Sequence, residues 1–496
     1  MRCLAAAVVA CFLAGTPDEA VRAFQRAYAT KDASVRKKAV GLLEEIPGTA
    51  ATAALLPALA DEASAVRERA RDILLGRVGD EDLKVIAGTG LRSPEAEVRR
   101  RSAAALAAVG VRAGPHAEAL AACLKDRDPL VRETVAAAIG VAGHRGPAPA
   151  VAAAFAREAV PEVRGALLLA LAALDPTAGI AEASKAAGRE RDGPTALAAL
   201  RVLVKGDPAA AARTAALLLA HPDWAVRLEA AGVIAGHGSD GSAVEALIRA
   251  LKKEKRRRVN EGIAAALERL TGAPLGDDPG KWESWWEKRK GTWSPGVAPP
   301  APAACAPKEN GEESSTARFY DIPVDTDRMA FVIDTSKSML DPARLGETAT
   351  KMQLATAQLA KTMAGLREDV SFNIVAFGTV VECWKPRAAP ATPSTKYEAL
   401  RFLQKKTPEG RTNIHDALAT AFADPDVDTV FLLTDGAPTA GEETNRTGFL
   451  RALGFLRRWR PVRVHCVEIG AQNTGARWKG FLAEVAAATG GVHVAR

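Results

Sequence analysis

The sequence predicts two different folds joined in one chain: an all-α solenoid of short helical repeats, then a doubly wound α/β domain. Three observations predict this. A Val-Arg dipeptide recurs through the first half; a Pro/Ala-rich stretch interrupts the chain after residue 293; and the segment after it alternates strand and helix patterns. The 496 residues, 48% apolar and 25% charged, suit a globular chain of more than one domain, and three Tyr among many Ala favour helical stacking over an all-β fold. The expected organisation is a signal peptide at 1–15, a solenoid with a Trp-rich cap at 16–293, a linker at 294–318 and the α/β domain at 319–496.

The leader, MRCLAAAVVACFLAG, has one Arg and then an apolar run too short to span a bilayer as a helix. That is the shape of a secretory signal, so export to a periplasm, envelope or the exterior is expected. Val8-Val9-Ala10-Cys11 also has the form of a lipoprotein box, which would give membrane or envelope association through the N-terminus. A buried first-repeat helix, and with it a cytoplasmic chain, is the alternative.

The dipeptide falls at Val35-Arg36, Val66-Arg67, Val98-Arg99, Val131-Arg132, Val163-Arg164 and Val226-Arg227. Ala196-Leu197 and Val259-Asn260 continue the series, giving eight units about 30 to 33 residues apart. Units this small cannot bury their own apolar faces, so they must stack. Asp32, Glu95, Asp128 and Asp223 sit four residues before the repeat position, where a carboxylate caps a helix and is expected to meet the Arg one turn later. The units resemble HEAT-like repeats of the short, phycocyanobilin-lyase type. Trp282, Trp285 and Trp286 then lie at helical spacing after the last unit, as a terminal cap would.

The formal charge of +7 does not imply nucleic-acid binding. Lys252 to Arg258, KKEKRRR, supplies about five of it, leaving no basic stripe, and this run is expected to be a solvated loop. Past the Pro/Ala-rich linker, Met329 to Ile333 reads as the first central strand and Ala349 to Leu366 as a helix. Val370 to Phe377 and Val380 to Trp384 form a hairpin about Gly378-Thr379. Helices at Tyr397 to Leu403 and Ile414 to Phe422 precede a strand at Thr429 to Thr434. A helix at Gly448 to Trp459, a strand at Val462 to Ile469, a helix at Trp478 to Thr489 and a strand at Val492 to Ala495 complete a sheet of about six strands.

The chemistry of this second part is carried by FVIDTSKSM, where a strand runs directly into Asp334, Ser336 and Ser338. Thr412, in EGRTNIHDAL, and Asp435, at the end of TVFLLTDG, also lie at element ends. In an open parallel sheet these ends collect along one edge, where a hard cation could find oxygen ligands. The pattern resembles the von Willebrand factor A domain with its metal-ion-dependent adhesion site, over roughly Phe319 to Arg496. The resemblance implies Ser336, Ser338 and Thr412 as direct ligands, and Asp334 and Asp435 as direct or water-mediated ones. It also implies Mg²⁺, with Mn²⁺ or Ca²⁺ as alternatives, and a protein partner whose Asp or Glu carboxylate completes the shell. Lys337 and Arg411 depart from the glycines common in the family; like charge opposes the metal there and attracts an acidic partner.

Catalytic signatures are missing: there is no H-E-x-x-H, G-x-S-x-G or P-loop, and GHGSDG at 236–241 follows a helix rather than a strand. His415 beside Asp416 reads as a helix-surface residue, and Cys123, Cys305, Cys383 and Cys466 show no metal spacing. The expected function is therefore non-enzymatic: an interaction, adhesion or scaffold protein whose metal site takes an acidic residue. A metal-independent scaffold, an adaptor of a cytoplasmic chaperone ATPase and a lyase-like enzyme are the alternatives.

Overall fold

The computed structural model describes residues 17–77, 79–187, 191–294, 317–343, 348–470 and 478–496. The leader at 1–15, most of the linker at 294–318 and Cys305 lie outside the described residues. The chain divides into two compact units, Met1–Gly238 and Ser239–Arg496.

In the first unit the six Val-Arg positions and Ala196-Leu197 each fall on a helix: Ala33–Leu42, Ser64–Gly76, Ala96–Ala108, Pro129–Ala142, Pro161–Leu174, Gly193–Gly206 and Trp224–His237. Local sequence explains where they start. Asp32, Asp128 and Asp223 accept backbone N–H groups of the first turn, and Pro129 and Pro161 occupy first-turn positions where no N–H is needed. Packing follows the helical period; in Pro129–Ala142 the buried residues include Val131, Val135, Ala138, Ile139 and Ala142. Small residues let the helices approach closely. A Cβ on Gly179 would stand 2.3 Å from Ala172 Cα, so the backbones there touch.

Arg36, Arg99 and Arg132 reach past the cap positions to the next unit, where the sequence expectation paired them with the cap carboxylates one turn before. Arg99 Nη1 donates instead to the carbonyls of Ser93 and Pro94, while Nε and Nη2 reach Asp126 in the next unit at 2.6 and 2.9 Å. Arg36 repeats the pattern with Thr30, Lys31 and Asp61, and Arg132 with Asp126, Arg127 and Glu158. Asp32 and Asp128 are spent on N–H groups at their own helix starts, and in all three cases the flat guanidinium turns to the loop and the following repeat. Glu95 differs from its equivalents in making no side-chain cap.

The second unit begins with helices α1 (Gly241–Lys253), α2 (Arg257–Thr271) and α3 (Pro279–Glu287). Trp282 and Trp286 on α3 are buried, with indole N–H groups donating to the Gly276 carbonyl at 2.7 Å and Glu245 at 3.2 Å; Trp285 is half-buried. Trp286 lies against Gly241 at the start of α1, and Trp282 is tied to the loop that follows α2. The basic run includes a loop at 254–256 between two helices and leaves Lys252, Lys253 and Lys255 exposed, but it is not free of partners. Arg256 donates to the Asp426 carbonyl at 2.9 Å and its carboxylate at 2.6 Å, and Arg463 lies 3.6 Å from Glu261. Asp426 and Asp428, just ahead of the strand Thr429–Thr434, supply to Arg256 the counter-charge that sequence distance concealed.

A two-stranded ribbon follows, β1 (Arg318–Phe319) and β2 (Ile322–Pro323), which the sequence reading missed. Its turn residues Tyr320 and Asp321 adopt positive φ of 48° and 65°, a conformation usually signalled by Gly or Asn. The main sheet comprises β3 (Arg328–Asp334), β4 (Ser371–Phe377), β5 (Val381–Cys383), β6 (Ala389–Pro390), β7 (Thr429–Thr434), β8 (Arg463–Glu468) and β9 (His493–Ala495). Its order is β5-β4-β3-β7-β8-β9, with β6 also on β4; β5 and β6 are antiparallel to β4 and the other pairs are parallel.

Helices α4 (Lys351–Ala364) and α5 (Pro393–Gln404) contribute to the core on one sheet face with Met329, Phe331 and Ile333. On the other face, α6 (Ile414–Ala423), α7 (Arg446–Arg457) and α8 (Phe481–Thr489) pack with Ala330 and Val332. With both faces covered, β3 and β7 are apolar through Met329–Ile333 and Val430–Leu433, as buried parallel strands are. The sheet is the doubly wound form the sequence predicts, and element ends differ from expectation by a few residues. The largest shift is in α5, which begins at Pro393 behind a Thr392 cap instead of at Tyr397.

Candidate functional site

β3 and β7 are parallel neighbours with Ile333 opposite Leu433, so both chains leave the sheet at the same carboxyl edge. Asp334 ends β3 and is fully buried; its Oδ1 accepts the Ser336 N–H at 2.7 Å, and its Oδ2 accepts the Thr434 hydroxyl at 2.5 Å. The first bond is an Asx turn, which swings the chain into a single 3₁₀ turn at Lys337–Leu340. Ser336 and Ser338 thereby face each other with Oγ atoms 3.2 Å apart, and the Ser338 hydroxyl donates to Asp435 Oδ1 at 2.9 Å. Four of the five predicted residues thus lie in one hydrogen-bonded group.

Thr412 approaches through its backbone. Glu409 N–H donates to the Thr335 carbonyl at 2.9 Å, and Lys337 N–H to the Gly410 carbonyl at 3.3 Å, tying the Thr412 loop to the Ser336 turn. Gly378, at the end of β4, permits this crossing; a Cβ there would stand 2.7 Å from the Glu409 carbonyl oxygen. Thr412 is buried and held from the other side by Thr439, whose hydroxyl accepts its N–H at 2.9 Å and whose N–H reaches its carbonyl at 2.8 Å. Among the described residues no hydrogen bond joins the Thr412 hydroxyl to the Asp334 group.

Sequence reasoning missed two members. Thr434 binds Asp334 directly, and Lys351, the first residue of α4, places Nζ 2.7 Å from Asp435 Oδ2. Both side chains of the Lys351–Asp435 pair are almost wholly removed from solvent, at 3% and 2% exposure. A signal existed: Lys351 lies on the helical face of Ala355, Leu359 and Met363, where an inward lysine needs a partner. His415 is also corrected. It is buried rather than on the helix surface, with Nδ1 2.8 Å from Asp416 and its ring edge-on to Phe449.

Burial raises the Asp334 carboxyl to about 6, against the hydrogen bonds from Thr434 and Ser336, and the nearby Asp435 charge adds to the rise. Ser338 is half-buried while Asp334, Ser336, Thr412 and Asp435 are buried, and Lys337 and Arg411 are exposed beside it. Access is therefore from the Ser338 side, past two cations.

The donor set fits a hard divalent cation. Oxygens at right angles around Mg²⁺, each about 2.1 Å from it, lie about 3.0 Å apart. The Ser336–Ser338 and Ser338–Asp435 spacings, 3.2 and 2.9 Å, are close to that edge length. Among the described residues there is no group of three or more His, Cys, Asp and Glu with metal-binding geometry, so the candidate centre is this mixed hydroxyl and carboxylate set.

Residues 327–494 match the von Willebrand factor type A domain model, and residues 87–172 the HEAT repeats model. Human von Willebrand factor A domain-containing protein 3A is 31% identical over 121 residues, 24% of this chain and 10% of that protein. Inter-alpha-trypsin inhibitor heavy chain H3 from Mesocricetus auratus is 29% identical over 133 residues, 24% of this chain and 14% of that protein. The matches therefore span only a small part of these relatives. Among solved structures, a von Willebrand factor type A protein from Catenulispora acidiphila aligns at 21% identity over 34% of this chain and 38% of that one, with a TM-score of 0.28.

Proposed function

For a chain that carries a von Willebrand factor type A domain after HEAT repeats, we propose a non-enzymatic role in protein interaction or adhesion. Its α/β domain binds an acidic residue of a protein partner at a divalent-metal site. One observation supports this reading above the rest: Asp334, Ser336, Ser338 and Asp435, drawn from two separate strand ends, form a continuous set of oxygens at the ligand-binding edge of the sheet. Bound there, Mg²⁺ or Mn²⁺ would supply a coordination position open to a carboxylate oxygen.

The chain's own residues do the rest. Ser336, Ser338 and Thr412 present hydroxyls, and Asp435 presents Oδ1. Asp334 fixes the turn by accepting the Ser336 N–H, and Thr434 holds Asp334. Lys337 and Arg411, exposed beside the opening, attract an anionic partner and repel cationic ones. The solenoid offers a second surface for interaction.

Titration of the full chain with Mn²⁺ tests the metal, and capture of partners with and without EDTA tests its use. The reading expects saturable binding that Ser336→Ala and Asp435→Asn weaken, and partner capture that EDTA abolishes. Metal-insensitive capture that survives both substitutions would replace it with a metal-independent scaffold, a reading favoured by the cation Lys351 already provides to Asp435. No helix among the described residues is long and apolar enough to cross a membrane. Export through the leader is part of the proposal, and mass spectrometry of the N-terminus in fractionated cells tests it.

A further inference from the structure

We propose that Lys351 is a resident counter-cation of this site: it keeps Asp435 positioned when no metal is bound, and it sets the affinity for divalent ions low. The inference rests on the metal reading above and extends it to a residue outside the D-x-S-x-S, Thr, Asp pattern.

The geometry divides Asp435 between two tasks. Oδ2 takes the Lys351 ammonium at 2.7 Å, and Oδ1 accepts the Ser338 hydroxyl at 2.9 Å. One carboxylate oxygen is thus neutralised from within the fold while the other faces the serines. Lys351 delivers its charge from a fixed frame. Thr350 and Gln353 form a capping box at the start of α4, and Lys351 N–H donates to the Asp341 carbonyl at 3.0 Å. The stem passes Gly470, where a Cβ would stand 2.9 Å from Lys351 Cε, so the β8 end leaves a channel for it. Lys351 is 2% exposed, and an ammonium that deep is held only when paired.

Charge then decides the consequences. Ionised Asp334 and Asp435 with Lys351 carry a net charge of about −1, and without it about −2. A divalent cation entering the present site meets a like charge bonded to one of its ligands, which weakens binding. The same ammonium relieves repulsion between the two buried carboxylates, so the oxygen group stays assembled without metal.

Mn²⁺ binding to the full chain, followed by water-proton relaxation, tests this in the wild type and Lys351→Met. The variant is expected to bind about tenfold more tightly or better. Its thermal midpoint is expected to fall in EDTA and recover with Mn²⁺, while that of the wild type changes little. The double variant Lys351→Met/Asp435→Asn should regain the wild-type midpoint in EDTA, because neither member of the pair is then left charged without the other; failure to regain it overturns the positioning role. Equal or weaker Mn²⁺ binding by Lys351→Met, with the wild type still binding, overturns the inference alone. Saturable binding by neither protein overturns the metal reading and this inference together.

Discussion

Arg99 and Asp126 are 27 residues apart in the chain yet form a two-pronged ion pair, Nε to Oδ2 at 2.6 Å and Nη2 to Oδ1 at 2.9 Å. Arg36 with Asp61 and Arg132 with Glu158 repeat it at almost the same offset, so each pair ties one repeat to the next. In a solenoid, stability is the sum of such neighbour terms.

Removing one member of the Arg99–Asp126 pair should therefore cost more than its surface position along the rod suggests. Both side chains are about one-tenth exposed, so Arg99→Met leaves a nearly buried carboxylate uncompensated, at a cost of about 3 kcal/mol. Hydrogen exchange should show lost protection confined to the helices around Ala96–Ala108 and Pro129–Ala142. The double variant Arg99→Met/Asp126→Asn should recover part of the loss; additive losses would refute the coupling.

A pH dependence follows from Asp428. This carboxyl is fully buried and raised to about 6, chiefly by burial, with Asp327 adding to the rise and the Thr326 and Thr429 hydroxyls and Arg256 opposing it. A group raised in the folded state binds its proton more tightly there than in the unfolded chain. Its contribution to stability is complete below pH 3.8 and is lost as pH rises through 6. Asp428→Asn keeps an acceptor for both hydroxyls and removes the titration. The difference in unfolding free energy between variant and wild type should grow by up to about 3 kcal/mol from pH 4 to pH 7.5. A constant difference across that range would exclude Asp428 as the source.

Much of this fold was legible because its signals are local. The Val-Arg period located the second helix of each unit, and the strand ends at Asp334 and Thr434 were read from apolar runs meeting oxygen-bearing residues. Interactions between distant segments were not legible. The forward reach of Arg99 to Asp126, the pairing of Arg256 with Asp426, and the delivery of Lys351 to Asp435 each depend on segments brought together only by packing. Tyr320 and Asp321 were missed for a different reason. Tyr does not advertise positive φ and Asp does so only weakly, and the conformation is imposed by the ribbon they close.

The tryptophans of α3 make a graded prediction. Trp282 is fully buried and its indole N–H is bonded to the Gly276 carbonyl at 2.7 Å, whereas Trp285 is half-buried with the Arg289 guanidinium 5.1 Å from its ring centre. Trp282→Ala should destabilise the second unit by about 3 to 5 kcal/mol. Trp285→Ala should cost much less, near the value of about 1 kcal/mol for a typical substitution. Urea unfolding followed by the remaining tryptophan fluorescence gives both; equal effects would mean that Trp285 is as much a structural residue as Trp282.

Thr434 offers the sharpest separation of a hydroxyl from a methyl at the candidate site. Its Oγ1 donates to Asp334 Oδ2 in a setting where both residues are fully buried, so the bond replaces water that cannot enter. Thr434→Val keeps the shape and removes the donor, leaving that carboxylate oxygen unsatisfied at a cost of about 1 to 3 kcal/mol. Thr434→Ser restores the donor but loses a methyl from a packed strand end. Stability should therefore rank wild type above Ser and Ser above Val. The Asp334 carboxyl, whose rise the Thr434 bond opposes, should titrate higher in Thr434→Val than in Thr434→Ser. Carboxyl-carbon NMR of the metal-free chain reads that titration directly. An Asp334 titration unchanged by Val would mean that the hydroxyl does not hold the carboxylate, leaving the Ser336 N–H to fix the turn alone.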